Sequence, residues 1–127
     1  ARQRLASILR IIHDFEGVRT TLVFDGKGED ISIERPSGQL TFSYLYSPSD
    51  MTADAVIEQL VRSSSHPQTI TVASGDNMVL QSTGAAGALT IGFHQLADWI
   101  HSCEMRQSEK LKRRSQVTEK EWRQPNP

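Results

Sequence analysis

The stretch Thr69-Ile-Thr-Val-Ala-Ser-Gly-Asp-Asn77 limits what this chain can fold into more than any other. It begins as an apolar, β-branched run and stops on Gly75 and two short polar side chains. A buried parallel strand running into a helix N-terminus has this form. Asp76 then falls at the carboxyl end of the strand, where open α/β sheets place their ligands. Thr20-Thr-Leu-Val-Phe-Asp25-Gly26 repeats the form, a hydrophobic strand ending on an aspartate. Two strands that deliver acids to one sheet edge suggest a metal site.

The rest of the chain alternates around these two strands. Leu5, Ile8, Leu9, Ile12 and Phe15 recur at helical spacing, and Gly17 stands where a helix ends. Ile31–Ile33 is a short extended piece between the loop signals Gly26–Asp30 and Arg35-Pro-Ser-Gly38. Leu40–Tyr46 alternates enough for a half-buried strand near a sheet edge. Thr52 is a good N-cap for a helix with the apolar stripe Ala53, Val56, Ile57, Leu60 and Val61. A short helix is expected from Asp76 or Asn77 to about Ser82. A flexible turn at Gly84–Gly87 and a last strand at Ala88–Ile91 follow. From Phe93 the positions Leu96, Ala97, Ile100 and Cys103 again have helical spacing. The order argues for an α/β sandwich with a mostly parallel sheet.

At 127 residues there is room for one domain and one core, which we bound at residues 1–104. Residues 105–127 read as a polar helix extension and tail, with the basic cluster Lys110-Leu-Lys-Arg-Arg114. Such a cluster is most often a solvated helix end, with RNA contact as the minority reading. After Arg106 the apolar stripe fades, so 116–127 should add little to the core unless Trp122 docks on a partner. The formal net charge of −1 means that a nucleic-acid partner needs a local basic patch. The single Cys103 excludes an internal disulfide and fits a core position in a reducing compartment. No apolar run approaches the roughly 18 residues of a membrane span. The chain opens on Ala1 inside a helix, which we read as a processed or shortened chain.

Four carboxylates stand out: Asp25, Asp54, Glu58 and Asp76. Asp54 lies in the first turn of its helix, with Glu58 one turn later on the same face. Magnesium and manganese ions want oxygen ligands, and carboxylates tolerate close approach with a cation between them. Such a site can polarise a phosphodiester and generate a hydroxide for in-line attack. Each acid taken singly also has a structural reading, as a helix cap, a dipole partner or a solvated residue. Convergence of three on one edge favours the metal. His13, His66, His94 and His101 lack metal-ligand spacing and read as mostly surface or helix residues.

Three blocks carry a resemblance: Leu22-Val-Phe-Asp-Gly26, Thr52-Ala-Asp-Ala-Val-Ile-Glu58 and Ile70-Thr-Val-Ala-Ser-Gly-Asp76. In this order they resemble the YacP-like branch of the NYN domains, in the PIN-like nuclease group. The resemblance covers about Arg2 to Ile100. It implies a Rossmann-like three-layer α/β/α sandwich and a metal-dependent endoribonuclease using Mg²⁺ or Mn²⁺. Asp25, Asp54 and Asp76 match the family's acidic positions, with Glu58 in support. Family members usually open with a central strand ending in Asp-Gly-Tyr-Asn, and no such strand occurs here. Gly75 also replaces the hydroxyl residue that usually precedes the aspartate. A chain without its central strand would recruit a substitute, for which a homodimer is one source.

The resulting expectation is a ribonuclease domain cleaving RNA phosphodiesters with a metal-activated water, with weak or no activity in this chain because the first acidic strand is missing. Asp25, Asp54 and Asp76 would hold the metal, Glu58 would adjust charge or orient water, and Lys27, Arg35 and Asn77 would contact RNA. The partners implied are RNA and, through the translation-linked decay of some family members, the ribosome. The compartment implied is the cytoplasm, or an organellar stroma or matrix if a targeting segment was removed. The alternative is a non-catalytic RNA- or ribosome-binding module with a degenerate acidic site. A phosphoryl-transfer domain with an aspartate nucleophile fits less well, because Lys27 stands where its second acid is needed.

Overall fold

The computed structural model describes the backbone of residues 2–123 and the side-chain environment of residues 3–115. Helix α1 (Arg2–Glu16) turns Ala6 and Ile12 inward. It stops where Gly17 takes a φ of 67° and donates its N–H to the His13 carbonyl, 3.0 Å away. A left-handed residue at this point satisfies a terminal carbonyl, and glycine adopts that conformation without a Cβ clash. Strand β1 (Thr20–Phe24) follows and pairs in parallel with β3 (Phe42–Tyr46), in the register Thr20 with Phe42 through Phe24 with Tyr46. Strand β2 (Ser32–Glu34) lies antiparallel on the other side of β3. β3 is therefore the middle strand of its sheet, not a strand near the edge, and Phe42 and Leu45 are buried on it. Leu40 lies outside the strand and is 67% exposed.

Helix α2 (Ala53–Ser63) leads to a single 3₁₀ turn at Pro67–Thr69 and then to β4 (Thr71–Ala73). Pro67 at the start of that turn shortens the strand anticipated from Thr69, since proline fixes φ and cannot donate to a ladder. Only Val72 of β4 is buried. Helix α3 (Asn77–Ala85) runs past Gly84, and Gly87 at φ 110° makes the turn into β5 (Leu89–Ile91). β4 and β5 pair in parallel, Thr71 with Leu89 through Ala73 with Ile91.

The strands do not form one sheet. Among the described residues there are two, with orders β1-β3-β2 and β4-β5. Two of the three pairings are parallel, but β1 and β4 each have a single ladder partner. The apolar core divides in the same way. Ala6, Leu22 and Phe42 form one cluster with Leu9, Phe24 and Tyr44 packed on it. Val61, Val72, Val79 and Ala88 form the other, with Ile57, Ile70 and Ala86. Helix α2 joins the halves, packing against β1 and against α3. Its inward face is carried by Val56 and Val61, whereas Leu60 is 47% exposed.

Helix α4 (Phe93–Arg123) packs along α1, and one carboxylate joins several of its side chains to that helix. Glu16 Oε1 accepts the Trp99 indole N–H at 3.1 Å, Arg106 Nη2 at 2.7 Å and the Cys103 thiol at 3.5 Å. The Arg106 guanidinium also lies over the Phe15 ring, 4.7 Å from its centroid. Cys103 is fully buried, as its place on the apolar stripe implies. Burial, with the Glu16 carboxylate beside it, raises the thiol pKa. His13, read as a surface or helix residue, lies on α1 and is buried, with Nδ1 2.7 Å from Asp14 Oδ1 and Nε2 2.8 Å from Thr41 Oγ1. Two polar partners permit that burial. Beyond Cys103 the side chains of 104–115 are all exposed; those of 116–127, including Trp122, lie outside the described residues. No helix among the described residues is long and apolar enough to cross a membrane.

The Glu16 contact sets a pH dependence. The Trp99 hydrogen bond, then the Arg106 guanidinium, hold the Glu16 carboxyl below its ordinary value. A carboxyl depressed in the folded state stabilises the fold fully above its unfolded value and loses that contribution as pH falls through the folded one. Glu16→Gln should therefore flatten the acid limb of stability between about pH 5 and pH 3. Urea denaturation across that range, compared with the parent chain, checks this.

Candidate functional site

Each expected acid follows a strand or opens a helix, for reasons visible in the local backbone. Where β1 ends beside β3, the Ser47 N–H donates to the Phe24 carbonyl at 2.9 Å and the Gly26 N–H donates to Ser47 Oγ at 3.2 Å. A Cβ on residue 26 would run into the Ser47 carbonyl oxygen, so only glycine lets the two strand ends cross. This crossing fixes Asp25, one residue earlier. Its Oδ1 accepts the Ala53 N–H at 2.8 Å and thereby caps α2 together with Thr52, whose hydroxyl accepts from Ala55 at 3.0 Å. Asp54 is thus the residue next to the one bonded by Asp25. A carboxylate on the first N–H groups of a helix is favoured by hydrogen bonding and by the helix dipole.

Asp76 belongs to the other sheet. It follows β4 and caps α3, its Oδ1 accepting the Met78 N–H at 2.9 Å. Its own N–H donates to Ser74 Oγ at 3.0 Å. Ser47 and Ser74 are both buried at strand ends; the Ser47 hydroxyl accepts the N–H of the residue after Asp25, and the Ser74 hydroxyl accepts that of Asp76 itself. These two positioning residues escaped the reading of the sequence. For Ser74 a signal existed, because a serine two residues before an aspartate is a common local hydroxyl turn. Ser47 bonds a residue 21 positions away, which no local pattern announces.

The structure ties Asp25 to the first turn of α2, the turn that carries Asp54. Asp25 and the first turn of α2 form one unit. Glu58, one turn along that helix, is 28% exposed with Oε2 3.8 Å from Arg62 Nη2, a helix-face ion pair. Among the described residues no hydrogen bond or ion pair links Asp76 to Asp25 or Asp54, and no group of three or more His, Cys, Asp or Glu side chains is placed to hold a metal ion. The side chains present therefore do not make a complete cage for a divalent cation.

Of the residues expected to meet RNA, Lys27 lines an open cavity of about 420 Å³ with Asp25, Asp30, Ser32, Glu34 and Tyr46. Arg35 is exposed in the β2–β3 turn and Asn77 is exposed as the first residue of α3. Phe93 is a further neighbour of the Asp76 loop. Its ring is 60% exposed and lies against Gly75, where a Cβ would come within 2.7 Å of Cε2 and 2.9 Å of Cδ2.

An α/β domain with acids at strand ends, some of them capping helices, is the class defined here. The sequence profile of the YacP-like NYN domain matches residues 1–125, and the chain belongs to that family. Among solved structures, it is similar to the crystal structure of Rae1 (YacP) from Bacillus subtilis, with a TM-score of 0.71 and 21% identity over 92% of this chain and 67% of that one. The W164L mutant of that protein matches with a TM-score of 0.72 and 20% identity over 91% of this chain and 67% of that one. No curated protein matches. The family is PIN-like and its members are in general ribonucleases that use divalent metals.

The two glycines beside the acids are constrained to different degrees. Gly26 meets a backbone carbonyl, which cannot move without parting β1 from β3, whereas Gly75 meets a half-exposed ring that can rotate. Gly26→Ala should cost about 1–3 kcal/mol, as overpacking does, and Gly75→Ala less than about 1 kcal/mol. Chemical denaturation of the two variants should give that order.

Proposed function

We propose that this chain is the RNA-acting domain of a YacP-like, metal-dependent endoribonuclease, with an acidic site built in two halves. Asp25 and Asp54 make one half and Asp76 the other. What supports the reading most directly is the bond from Asp25 to the Ala53 N–H, 2.8 Å long. It joins a strand end from one block of the family likeness to a helix start from another, and Asp54 is the residue after the bonded Ala53. Asp25 is oriented by that bond, leaving its second oxygen for another partner. Asp76 is held in the same manner by Met78 and Ser74. Mg²⁺ or Mn²⁺ is the cofactor class this donor chemistry suits.

RNA is the proposed substrate, in an unpaired form whose backbone can reach a strand-end edge. Lys27 would meet phosphate beside Asp25, with Arg35 and Asn77 at the margins. Ribosome association, a homodimer and the cytoplasmic or organellar location remain parts of this proposal.

A second reading, a non-catalytic RNA-binding module, is favoured by one observation: among the described residues no group of three His, Cys, Asp or Glu side chains is placed to hold a metal ion. Cleavage of an unstructured RNA in Mn²⁺ separates the two. Asp25→Asn, Asp54→Asn and Asp76→Asn should each lower the rate by about 100-fold or more, since misplacing a reacting group by about 1 Å has that effect. Cleavage that survives all three changes would remove the acids from the reaction. RNA binding without any cleavage by the parent chain would establish the second reading.

A further inference from the structure

The charge of this chain is divided along its length. Residues 1–104 carry seven lysines and arginines against twelve acids, and residues 105–127 carry seven against three. A nearly neutral protein is thus an acidic body joined to a basic arm. The body alone would repel a phosphate backbone, so attraction has to come from the arm.

The fold presents residues 105–123 of that arm as helix. Arg106 of α4 is engaged with Glu16 and with the Phe15 ring. From there the helix continues to Arg123, a length of about 27 Å at 1.5 Å per residue. At 3.6 residues per turn, Lys110, Arg113 and Arg114 fall within about 100° of one face, in line with Arg106. Their side chains are exposed, and Glu109 is the only acid between Cys103 and Gln116 besides Glu104, which sits a half-turn before Arg106. A row of cations repeating about once per turn suits a row of phosphates better than an isolated carboxylate.

We infer that the exposed basic face of α4, centred on Lys110, Arg113 and Arg114, is a binding surface for the phosphate backbone of RNA, separate from the acidic strand ends. The inference rests on the proposal that RNA is the substrate, and it adds where the affinity resides. Contacts to phosphate carry no sequence information, so the arm captures RNA of any sequence. The body, with Asp25, Asp54 and Asp76, supplies little of the attraction.

The test is fluorescence anisotropy of a labelled, unstructured RNA of about 20 nucleotides, long enough for several phosphate contacts. The full chain is used, in EDTA so that no cleavage occurs, over a salt series. Lys110→Gln/Arg113→Gln is compared with a charge-matched pair on the body, Arg4→Gln/Arg19→Gln. The arm pair should raise Kd about tenfold at low salt and reduce the slope of log K against log salt by about 1.4, two contacts at about 0.7 each. The body pair should do markedly less. An unchanged thermal transition in the arm pair shows that folding is intact, as expected for exposed side chains. Equal effects from both pairs, an arm pair that binds like the parent, or a parent chain that does not bind RNA each overturn the inference. So does an arm pair that changes self-association in sedimentation and leaves RNA affinity unaltered, which would make the helix an interface between copies. Loss of affinity in the arm pair from a parent that never cleaves RNA upholds the inference while the nuclease proposal fails. Cleavage by the parent with arm-independent affinity gives the reverse.

Discussion

The crossing of two strand ends at Gly26 and Ser47 is the constraint on which the candidate site depends. The chain leaves β1 so close to the end of β3 that residue 26 has no room for a side chain. Two hydrogen bonds, Ser47 to Phe24 and Gly26 to Ser47 Oγ, hold the crossing. Asp25 is thereby delivered to the N-terminus of α2, where its carboxylate replaces a missing helical acceptor. Strand pairing, helix capping and the position of two acids are one mechanical unit. An acid held this way has little rotamer freedom left to lose on meeting a ligand.

Helix α2 extends that unit to the rest of the molecule. It is capped by Asp25 and Thr52 at one end, packs on β1, and carries Val61 into the cluster formed by Val72, Val79 and Ala88. The two sheets share no ladder among the described residues, so α2 carries much of the connection between them. Core contacts on a helix are less directional than a ladder of hydrogen bonds. A site whose acids reside on both sheets therefore depends on helix packing for its geometry, while each acid's own orientation depends on local bonds. At the far side, Glu16 performs a comparable task for α4 by gathering an indole, a thiol and a guanidinium on one oxygen. An ionised acceptor with several donors is a strong junction.

Much of this was legible in the residues themselves, because it is local. The helical stripe of α1, the glycine that ends it, the Thr52 cap, the burial of Cys103 and the aspartates that follow two of the strands all come from period, propensity and capping chemistry within a few positions. The three blocks that resemble the YacP-like NYN domain are local too, and the family profile over residues 1–125 agrees with them. Pro67 shows where a local reading stops short: Thr69 and Ile70 have strand-like side chains, yet the proline imposes a turn first.

What the tertiary structure alone decided is which strands meet and which side chains share a partner. β3 became a middle strand because β2, exposed along its length, covers its far edge, and alternation cannot distinguish an edge strand from a covered one. His13 is buried because Thr41, 28 residues away, supplies the second hydrogen bond it needs. Asp25 and Ala53 are likewise 28 residues apart, and Gly26 and Ser47 are 21. The sequence by itself determined the types of residue at the strand ends, since period and turn chemistry act over a few bonds. Whether those ends come together depends on backbone pairing and packing between distant segments, and among the described residues that pairing produced two sheets in place of one.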